Sequence, residues 1–154
     1  ALQPLQAQYD IALIDCQPAL GMLSINALSA ADQVIVPMQA EYLALNGLSQ
    51  LMNTLNQIRA QINPDIELTG ALITRYDRRL TLHRESRQAI TDALPQTYAT
   101  VIRPCIALAE ATAQGLTIFE YAPNSNGAAD YRSLTKEYLK REHDKEGRHT
   151  HGHK

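Results

Sequence analysis

The stretch YDIALIDCQPALG, from Tyr9 to Gly21, decides how the rest of this chain is interpreted. Its apolar residues Ile11 to Ile14 run without polar alternation and stop at Asp15. Such a run predicts a strand that is buried on both faces, as in a parallel sheet. Ligands collect outside the carboxyl ends of such strands, where an Asp commonly holds the Mg²⁺ of a nucleotide. The pattern therefore predicts either a ligand-facing Asp15 or a residue that caps the next turn.

Length and composition predict one ordinary globular domain with a short tail. The chain has 154 residues, of which 45% are hydrophobic and 19% charged, and its formal net charge is −2. This charge gives no global reason to expect nucleic-acid or membrane binding, so a charged partner must meet a local patch. The two cysteines and the lack of a long apolar run predict a cytoplasmic protein. We expect a domain over residues 1–146 and a disordered tail over 147–154 with His149, His151 and His153.

Strand and helix patterns alternate along the chain, which predicts an α/β fold. The parallel sheet would have right-handed crossovers and helices on both faces. After the first strand, the predicted elements in chain order are a helix to Ser29, a strand from Gln33 to Met38, a helix from Leu45 to Ile62, a strand from Leu68 to Ile73, a helix ending near Leu94, a strand from Ala99 to Ile102, a helix from Ile106 to Gly115, an edge strand from Thr117 to Tyr121, and a helix from Ala128 to His143.

Several segments in this order resemble ParA/Soj-type chromosome and plasmid partition ATPases, of the deviant-Walker-A, MinD-like group. The matching segments are YDIALIDCQPALGMLSINALSAADQVIVPMQAEYLALNGLSQL, GALITRYD and AEATAQGLTIFEYAPNSNGAADYRSLTKEYL. The resemblance implies a P-loop NTPase fold of the SIMIBI type. It also implies ATP with Mg²⁺ as cofactors, an ATP-dependent dimer, binding of DNA without sequence preference, a ParB-like centromere-binding partner, and a location on the nucleoid.

The first family motif falls on the segment that opens this subsection. By the resemblance, Asp15 is the Walker B aspartate that holds Mg²⁺ through water. Cys16, Gln17, Pro18 and Gly21 then belong to the switch segment that follows it. Gln17 stands where relatives usually have a proline, which puts the stiffness of the switch in question. From the residues alone, Cys16 is expected to be a packed thiol rather than a nucleophile.

Two further regions match parts of the family's nucleotide and dimer sites. Thr74, Arg75 and Pro104 match regions that close over the adenine, although each could simply end a strand. Glu41 and Tyr42 match a loop near the ATP-dependent dimer interface. Glu41 could equally begin the next helix, because an acidic first turn suits the helix dipole.

An arginine-rich segment is the candidate DNA-binding region. Mixed charge of this kind most often forms a solvated face, but arginine forks also match phosphate oxygens. Arg79 matches a DNA-binding arginine of the family, whereas a second such position is occupied here by Ala107. We expect DNA contact from Arg78, Arg79 and Arg103. The segment's arginines are Arg75, Arg78, Arg79, Arg84 and Arg87, accompanied by the acidic Asp77 and Glu85.

The family's phosphate-binding loop has no counterpart in these 154 residues. No GxxxxGK[ST] pattern occurs, and the first lysine is Lys136. We therefore expect the C-terminal portion of a partition ATPase, a partial P-loop fold whose phosphate-loop strand is missing. ATP and Mg²⁺ would not bind tightly to this chain alone, so whether it acts as an ATPase is uncertain. The resemblance implies that the missing strand lies between the strand that ends at Asp15 and the strand of Val34 to Val36. These two strands would either pair directly across the gap or leave the chain marginally stable.

Two alternatives to a partition ATPase remain from the sequence. One is a non-catalytic truncated module that binds DNA or dimerises, either with itself or with a full-length ParA relative that it modulates. The other is a MinD-like ATPase that cycles on membranes. The segment TKEYLKREHDKEG in the last helix is charged all round, which argues against a membrane partner.

Overall fold

The structure, a computed structural model, describes residue 4 and residues 7–17, 21–41 and 44–150. Helices and strands alternate through the first half of the chain, and helices follow. This arrangement confirms the predicted α/β class. The elements are α1 (Met22–Ala30), β1 (Gln33–Gln39), α2 (Ala44–Gln61), β2 (Glu67–Thr74), α3 (Thr81–Ala93), α4 (Ile106–Ala113), α5 (Ile118–Tyr121) and α6 (Asn126–Thr150).

Strands β1 and β2 are neighbours and run parallel. The Glu67 N–H donates to the Asp32 carbonyl (2.9 Å), and the Thr69 hydroxyl donates to the Val34 carbonyl (2.9 Å). The two partners therefore advance in the same direction along both strands. The predicted strands from Gln33 and from Leu68 are both confirmed.

The predicted strand from Ala99 to Ile102 lies beside β2 but forms only a single parallel bridge, between Ile73 and Val101. Three backbone hydrogen bonds join the two segments: Tyr98 N–H donates to the Ala71 carbonyl (2.8 Å), Ile102 N–H to the Ile73 carbonyl (2.9 Å), and Tyr76 N–H to the Ile102 carbonyl (3.0 Å). Pro104 follows closely and has no N–H to donate, so a regular ladder cannot continue past this point.

The chain divides into two compact units, and each has its own buried residues. The first unit is Ala1–Ile35 with Leu45–Thr69, and the second is Val36–Ala44 with Gly70–Lys154. In the first unit, Leu55, Ile58 and Ile66 are buried. In the second, Ile73 and Ile90 are fully buried.

The predicted first strand, Ile11 to Ile14, is wrong. The structure shows an irregular, exposed segment in which Leu13 is 92% and Ile11 55% exposed. A strand needs backbone partners on at least one edge. Among the described residues, β1 pairs with β2 only, and the segment from Tyr9 to Ile14 makes no backbone hydrogen bond to either strand. Direct pairing across the expected gap is thus not found in the described part.

The predicted edge strand from Thr117 to Tyr121 is also wrong, because these residues form α5. Thr117 is its N-cap: its hydroxyl accepts from Glu120 N–H (3.2 Å), and the Glu120 carboxylate accepts from Thr117 N–H (2.9 Å). This reciprocal capping box satisfies two amide donors at the start of a helix. The Thr117 N–H and the Thr117 hydroxyl (2.7 Å) both donate to the Glu120 carboxylate and lower the pKa of Glu120.

The other helices follow their predicted positions. Helix α4 is followed by Gly115, whose φ of 68° is the left-handed conformation expected of a glycine after a helix. Helix α6 runs to Thr150, beyond its predicted end near His143, so the start of the predicted tail is helical. The domain boundary at residue 146 stays a prediction. Within the described residues, no helix has both the length and the apolar character needed to cross a membrane.

Candidate functional site

Strand β2 ends in a sharp turn at Arg75. The Thr74 hydroxyl donates to the carbonyl of Met38 at the end of β1 (3.3 Å), and Tyr76 N–H donates to the Ile102 carbonyl (3.0 Å). Between them, Arg75 has a φ of 52°, in the left-handed region that few residues other than glycine adopt. Held on both sides in this way, the chain leaves the sheet abruptly at the carboxyl ends of two parallel strands.

A cleft of about 220 Å³ lies at this turn, within the second unit. It brings together three of the predicted site residues, Glu41, Arg75 and Pro104. Its size is below the roughly 300–1,000 Å³ of sites that enclose a whole drug-sized ligand, and it suits one part of a larger molecule. The residues that line it are Gln39, Ala40, Glu41, Arg75, Asp77, Leu80, His83 and Pro104.

The residues after the cleft form a tight turn, which we call the arginine turn and define as residues 77–80. Leu80 N–H donates to the Asp77 carbonyl (3.1 Å), which closes the turn. Asp77 N–H donates to Nδ1 of His83 (3.0 Å), and Oδ1 of Asp77 accepts from Arg79 N–H (3.0 Å). An Asp that accepts from the backbone two residues on is a standard turn former. The turn therefore presents Arg78 and Arg79 at its tip.

Arg79 and Asp77 also form a bidentate ion pair. The Arg79 Nε lies 3.0 Å and 3.2 Å from the two carboxylate oxygens, and Nη2 lies 2.7 Å from Oδ2. The side chain of Arg79 is 84% exposed, whereas that of Asp77 is 22% exposed. The side-chain and backbone hydrogen bonds from Arg79 lower the pKa of Asp77 to about 2. The Asp77 carboxylate therefore stays ionised throughout the neutral and mildly acidic range.

We expect the carboxyl of Asp77 to titrate with a midpoint near 2 when it is followed by NMR in the wild-type chain. Because this pKa is depressed, the pair stabilises the fold above the ordinary Asp value of about 3.9, and that contribution is lost as pH falls toward 2. In the Arg79→Ala variant the midpoint should return toward the ordinary value. A wild-type midpoint that already lies near 3.9 would contradict the ion pair.

Two other arginines of this region hydrogen-bond to backbone carbonyls of the chain itself. Arg84 Nη1 donates to the carbonyls of Arg78 (2.9 Å) and Arg79 (3.3 Å), and so braces the arginine turn from α3. Arg87 Nη2 donates to the Ala99 carbonyl (3.1 Å), and its guanidinium lies 5.4 Å from the centre of the Tyr76 ring. Their side chains are engaged with the protein rather than directed to a partner.

The remaining predicted arginines divide into free and paired groups. Arg75 and Arg78 are exposed, and their guanidinium groups make no hydrogen bond or ion pair to any residue that the structure describes. Arg103 forms a bidentate pair with Asp130, with Nη2 2.7 Å from Oδ1, and its backbone N–H donates to Oδ2 of the same carboxylate (2.9 Å). Its charge is thus balanced by a carboxylate that is 12% exposed. DNA contact by Arg103 stays a prediction.

The predicted metal and switch residues lie in the first unit. Asp15, Cys16 and Gln17 are exposed in the irregular segment before α1, and Gly21 precedes that helix. The expected packing of Cys16 is wrong: the thiol is exposed because its segment is not a buried strand. Pro18 and Tyr42, like residues 19, 20 and 43, fall outside the described residues. In the part of the chain that is described, no three His, Cys, Asp or Glu side chains cluster as metal ligands.

Two site residues were missed by sequence reasoning. Asp77 entered only as one of the charges opposing the arginines, and His83 was not considered. Both line the cleft, and both hold the arginine turn. The available signal was the Asp-x-Arg spacing after a strand, because an Asp side chain readily reaches the backbone two residues later. His83 left no comparable signal, since its contact depends on where α3 begins.

Comparison with known proteins gives consistent matches over most of the chain. The family described as an AAA domain matches residues 1–68. The chain is 38% identical over 143 residues to the chromosome partitioning protein ParA of Myxococcus xanthus, covering 92% of this chain and 50% of that protein. It is 42% identical over 134 residues to the chromosome-partitioning ATPase Soj of Thermus thermophilus, covering 86% and 54%. The chain thus spans about half the length of these relatives.

A solved structure is similar to this chain in both fold and sequence. It is cobyrinic acid a,c-diamide synthase from Mycobacterium smegmatis with a bound ATP analogue and magnesium. The match has a TM-score of 0.69 and 36% identity, and it covers 90% of this chain and 51% of that one. The predicted P-loop type of α/β fold is therefore confirmed, and a neighbour in this group holds a nucleotide with Mg²⁺.

Proposed function

The chain belongs to the ParA/Soj family of partition ATPases, and from this premise we propose that it carries the DNA-contacting and nucleotide-facing part of such a protein. The observation that carries the proposal is the arginine turn, which presents two exposed arginines beside a cleft at the ends of β1 and β2. DNA segregation, with a ParB-like partner and a second ParA-type subunit on the nucleoid, is the function to which this part would contribute.

DNA binding is assigned to Arg78 and Arg79. Arginine forks match phosphate oxygens bidentately, and phosphate contacts give sequence-independent, salt-sensitive binding. The net charge of −2 offers no general attraction for DNA, so the local turn must supply it. The bracing of both backbone carbonyls by Arg84 favours a fixed presentation of these two side chains.

Nucleotide contact is assigned to the cleft. Ala40, Leu80 and Pro104 give it apolar walls, and Glu41 and Arg75 give it polar groups, which is the usual composition of a site for a base. Thr74 would contribute by fixing the strand end through its hydrogen bond to β1. Glu41 and Tyr42 are also proposed for the dimer interface.

This chain supplies only part of a magnesium site. Asp15 supplies one carboxylate, and Mg²⁺ usually keeps several waters and relies on nucleotide phosphates for its other ligands. We therefore propose that Asp15 holds Mg²⁺ through water only when nucleotide is bound. Cys16, Gln17, Pro18 and Gly21 would form the switch segment after it. Such a bound ion would neutralise charge on the phosphates.

A second hypothesis is that the chain is a non-catalytic module that binds DNA or a full-length relative. The two hypotheses differ in one requirement, because an ATPase must bind Mg²⁺-ATP and a non-catalytic module need not. Both depend on the same arginine turn for DNA.

Substitution of Arg79 tests the DNA assignment directly. We expect Arg79→Ala to weaken binding to duplex DNA of any sequence and to reduce the slope of log K against log salt by less than one, since the phosphate contact that is lost comes from an arginine already partly neutralised by Asp77. Arg78→Ala should act in the same direction. The measurement is fluorescence anisotropy of labelled random-sequence duplex at several salt concentrations.

The matched control is Lys140→Ala, which removes the same charge from an exposed position on α6. It should leave the salt slope close to that of the wild-type chain. Equal effects of Arg79→Ala and Lys140→Ala would mean that overall charge governs the binding, and the assignment to the arginine turn would then be wrong.

A further inference from the structure

The guanidinium of Arg79 already has an anionic partner. Asp77 takes the Nε and Nη2 side of the fork with contacts of 2.7–3.2 Å, leaving only the outer Nη1 side uncovered. A phosphate group that approached the same side would meet the carboxylate, because both anions use the same pair of donors. The charge of Arg79 is therefore partly neutralised within the chain.

We propose that Asp77 competes with phosphate groups for Arg79, so that the turn binds polyanions less tightly than its arginines alone would allow. The inference rests on the proposed DNA binding at this turn. The ligand class is a phosphodiester or another polyphosphate chain, which must either displace the carboxylate or share the fork with it. Displacement is feasible because an ion pair so exposed to water is held only weakly.

The backbone of the arginine turn does not depend on the negative charge of Asp77. The turn is closed by the hydrogen bond from Leu80 N–H to the Asp77 carbonyl, and Arg84 holds the carbonyls at its tip. An Asn at position 77 keeps an oxygen that can accept from Arg79 N–H. The Asp77→Asn substitution thus removes the competing charge while it preserves the bonds that shape the turn.

The competition also predicts a particular salt response. While Arg79 is paired with Asp77, it neutralises a DNA phosphate only in part, so binding there releases fewer of the cations condensed on the DNA. Once the carboxylate is neutral, Arg79 becomes a full phosphate contact, and each such contact steepens the salt dependence by about 0.9. Asp77→Asn should therefore strengthen DNA binding if Asp77 competes with phosphate. It should weaken DNA binding if Asp77 only positions Arg79.

The test compares wild type, Asp77→Asn and the control Glu85→Gln, which removes the same charge from an exposed position on α3. Each is titrated with random-sequence duplex DNA and, separately, with inorganic polyphosphate. We expect Asp77→Asn to bind both ligands about fivefold more tightly at fixed salt, with a salt slope for DNA that is steeper by up to about 0.9. Glu85→Gln should bind much less than fivefold more tightly. In the Arg79→Ala background, Asp77→Asn should have little effect.

Three results would overturn the competition: weaker or equal binding by Asp77→Asn, an equal gain in Glu85→Gln, or a gain that persists without Arg79. Failure of the proposed DNA function looks different. In that case the wild-type chain would not bind DNA, while polyphosphate would still report whether Asp77→Asn frees Arg79. Thermal unfolding of each variant shows whether the fold is retained.

Discussion

Replacing Gly70 with alanine is expected to destabilise the chain by at least about 3 kcal/mol. Gly70 lies in β2 with a φ of 149°, a conformation that strains residues with a side chain. A Cβ at this position would overlap the carbonyl oxygen of Gln96 and lie 3.0 Å from its carbonyl carbon. Overpacking typically costs about 1–3 kcal/mol and backbone strain a similar amount, and here the obstructing atoms are backbone.

Urea denaturation of the two chains measures the effect. Gly47→Ala is the matched control, because Gly47 lies in α2 with nothing within 4 Å of the added Cβ. That substitution should stabilise the chain by roughly 0.5–1 kcal/mol, since glycine is unfavourable in a helix interior. The two glycine-to-alanine changes therefore have opposite expected signs. A Gly70→Ala chain as stable as wild type would show that Gln96 can move away from β2.

Local patterns predicted the two paired strands and every helix except α5, but they could not tell which apolar run had a neighbour. Ile11–Ile14 and Val34–Val36 have the same character in the sequence. The second became β1 because β2 supplies its backbone partners, whereas the first finds none among the described residues and leaves Leu13 92% exposed. Pairing is a long-range property, and hydrophobic periodicity does not contain it.

The same limit applies at a shorter range in the candidate site. The sequence showed that Asp77 and Arg79 carry opposite charges two residues apart, and it predicted Arg79 as a phosphate contact. It could not show that the turn would bring both Nε and Nη2 of Arg79 into hydrogen bonds with the Asp77 carboxylate. Similarly, Thr117 and Glu120 had the spacing of a capping box, but the apolar residues between them favoured a strand. In both cases the geometry of the turn decided between two locally plausible outcomes.

A clamp on α6 holds the segment that leads to the cleft. The two Glu137 carboxylate oxygens accept from Ala99 N–H (2.8 Å) and Thr100 N–H (2.8 Å). Arg141, one helical turn later, pairs with Glu137 (2.6 Å) and donates to the Gln96 carbonyl (2.7 Å). Its guanidinium also lies 4.0 Å from the centre of the Tyr98 ring. These contacts fix the residues that run beside β2 and end at Pro104.

We expect Glu137→Ala to destabilise the chain by about 2–3 kcal/mol, because two amide donors lose a charged acceptor. Arg141→Ala should cost a similar amount, and the double variant less than the sum, since both side chains belong to one network. The measurement is urea denaturation of the four chains at neutral pH. Glu142→Ala is the control on the same helix: it removes a more exposed ion pair with Lys145 and should change stability by less than about 1 kcal/mol.

The clamp should also weaken in acid. Burial raises the pKa of Glu137, but the hydrogen bonds from Thr100, Ala99 and Arg141 outweigh it, and the net pKa is lowered. The stabilisation by a carboxyl with a depressed pKa is complete above its unfolded value and is lost as pH falls through the folded value. The stability difference between wild type and Glu137→Ala should therefore shrink at acidic pH. A difference that stays constant down to pH values below the folded pKa would mean that the carboxylate charge is not what holds Ala99 and Thr100.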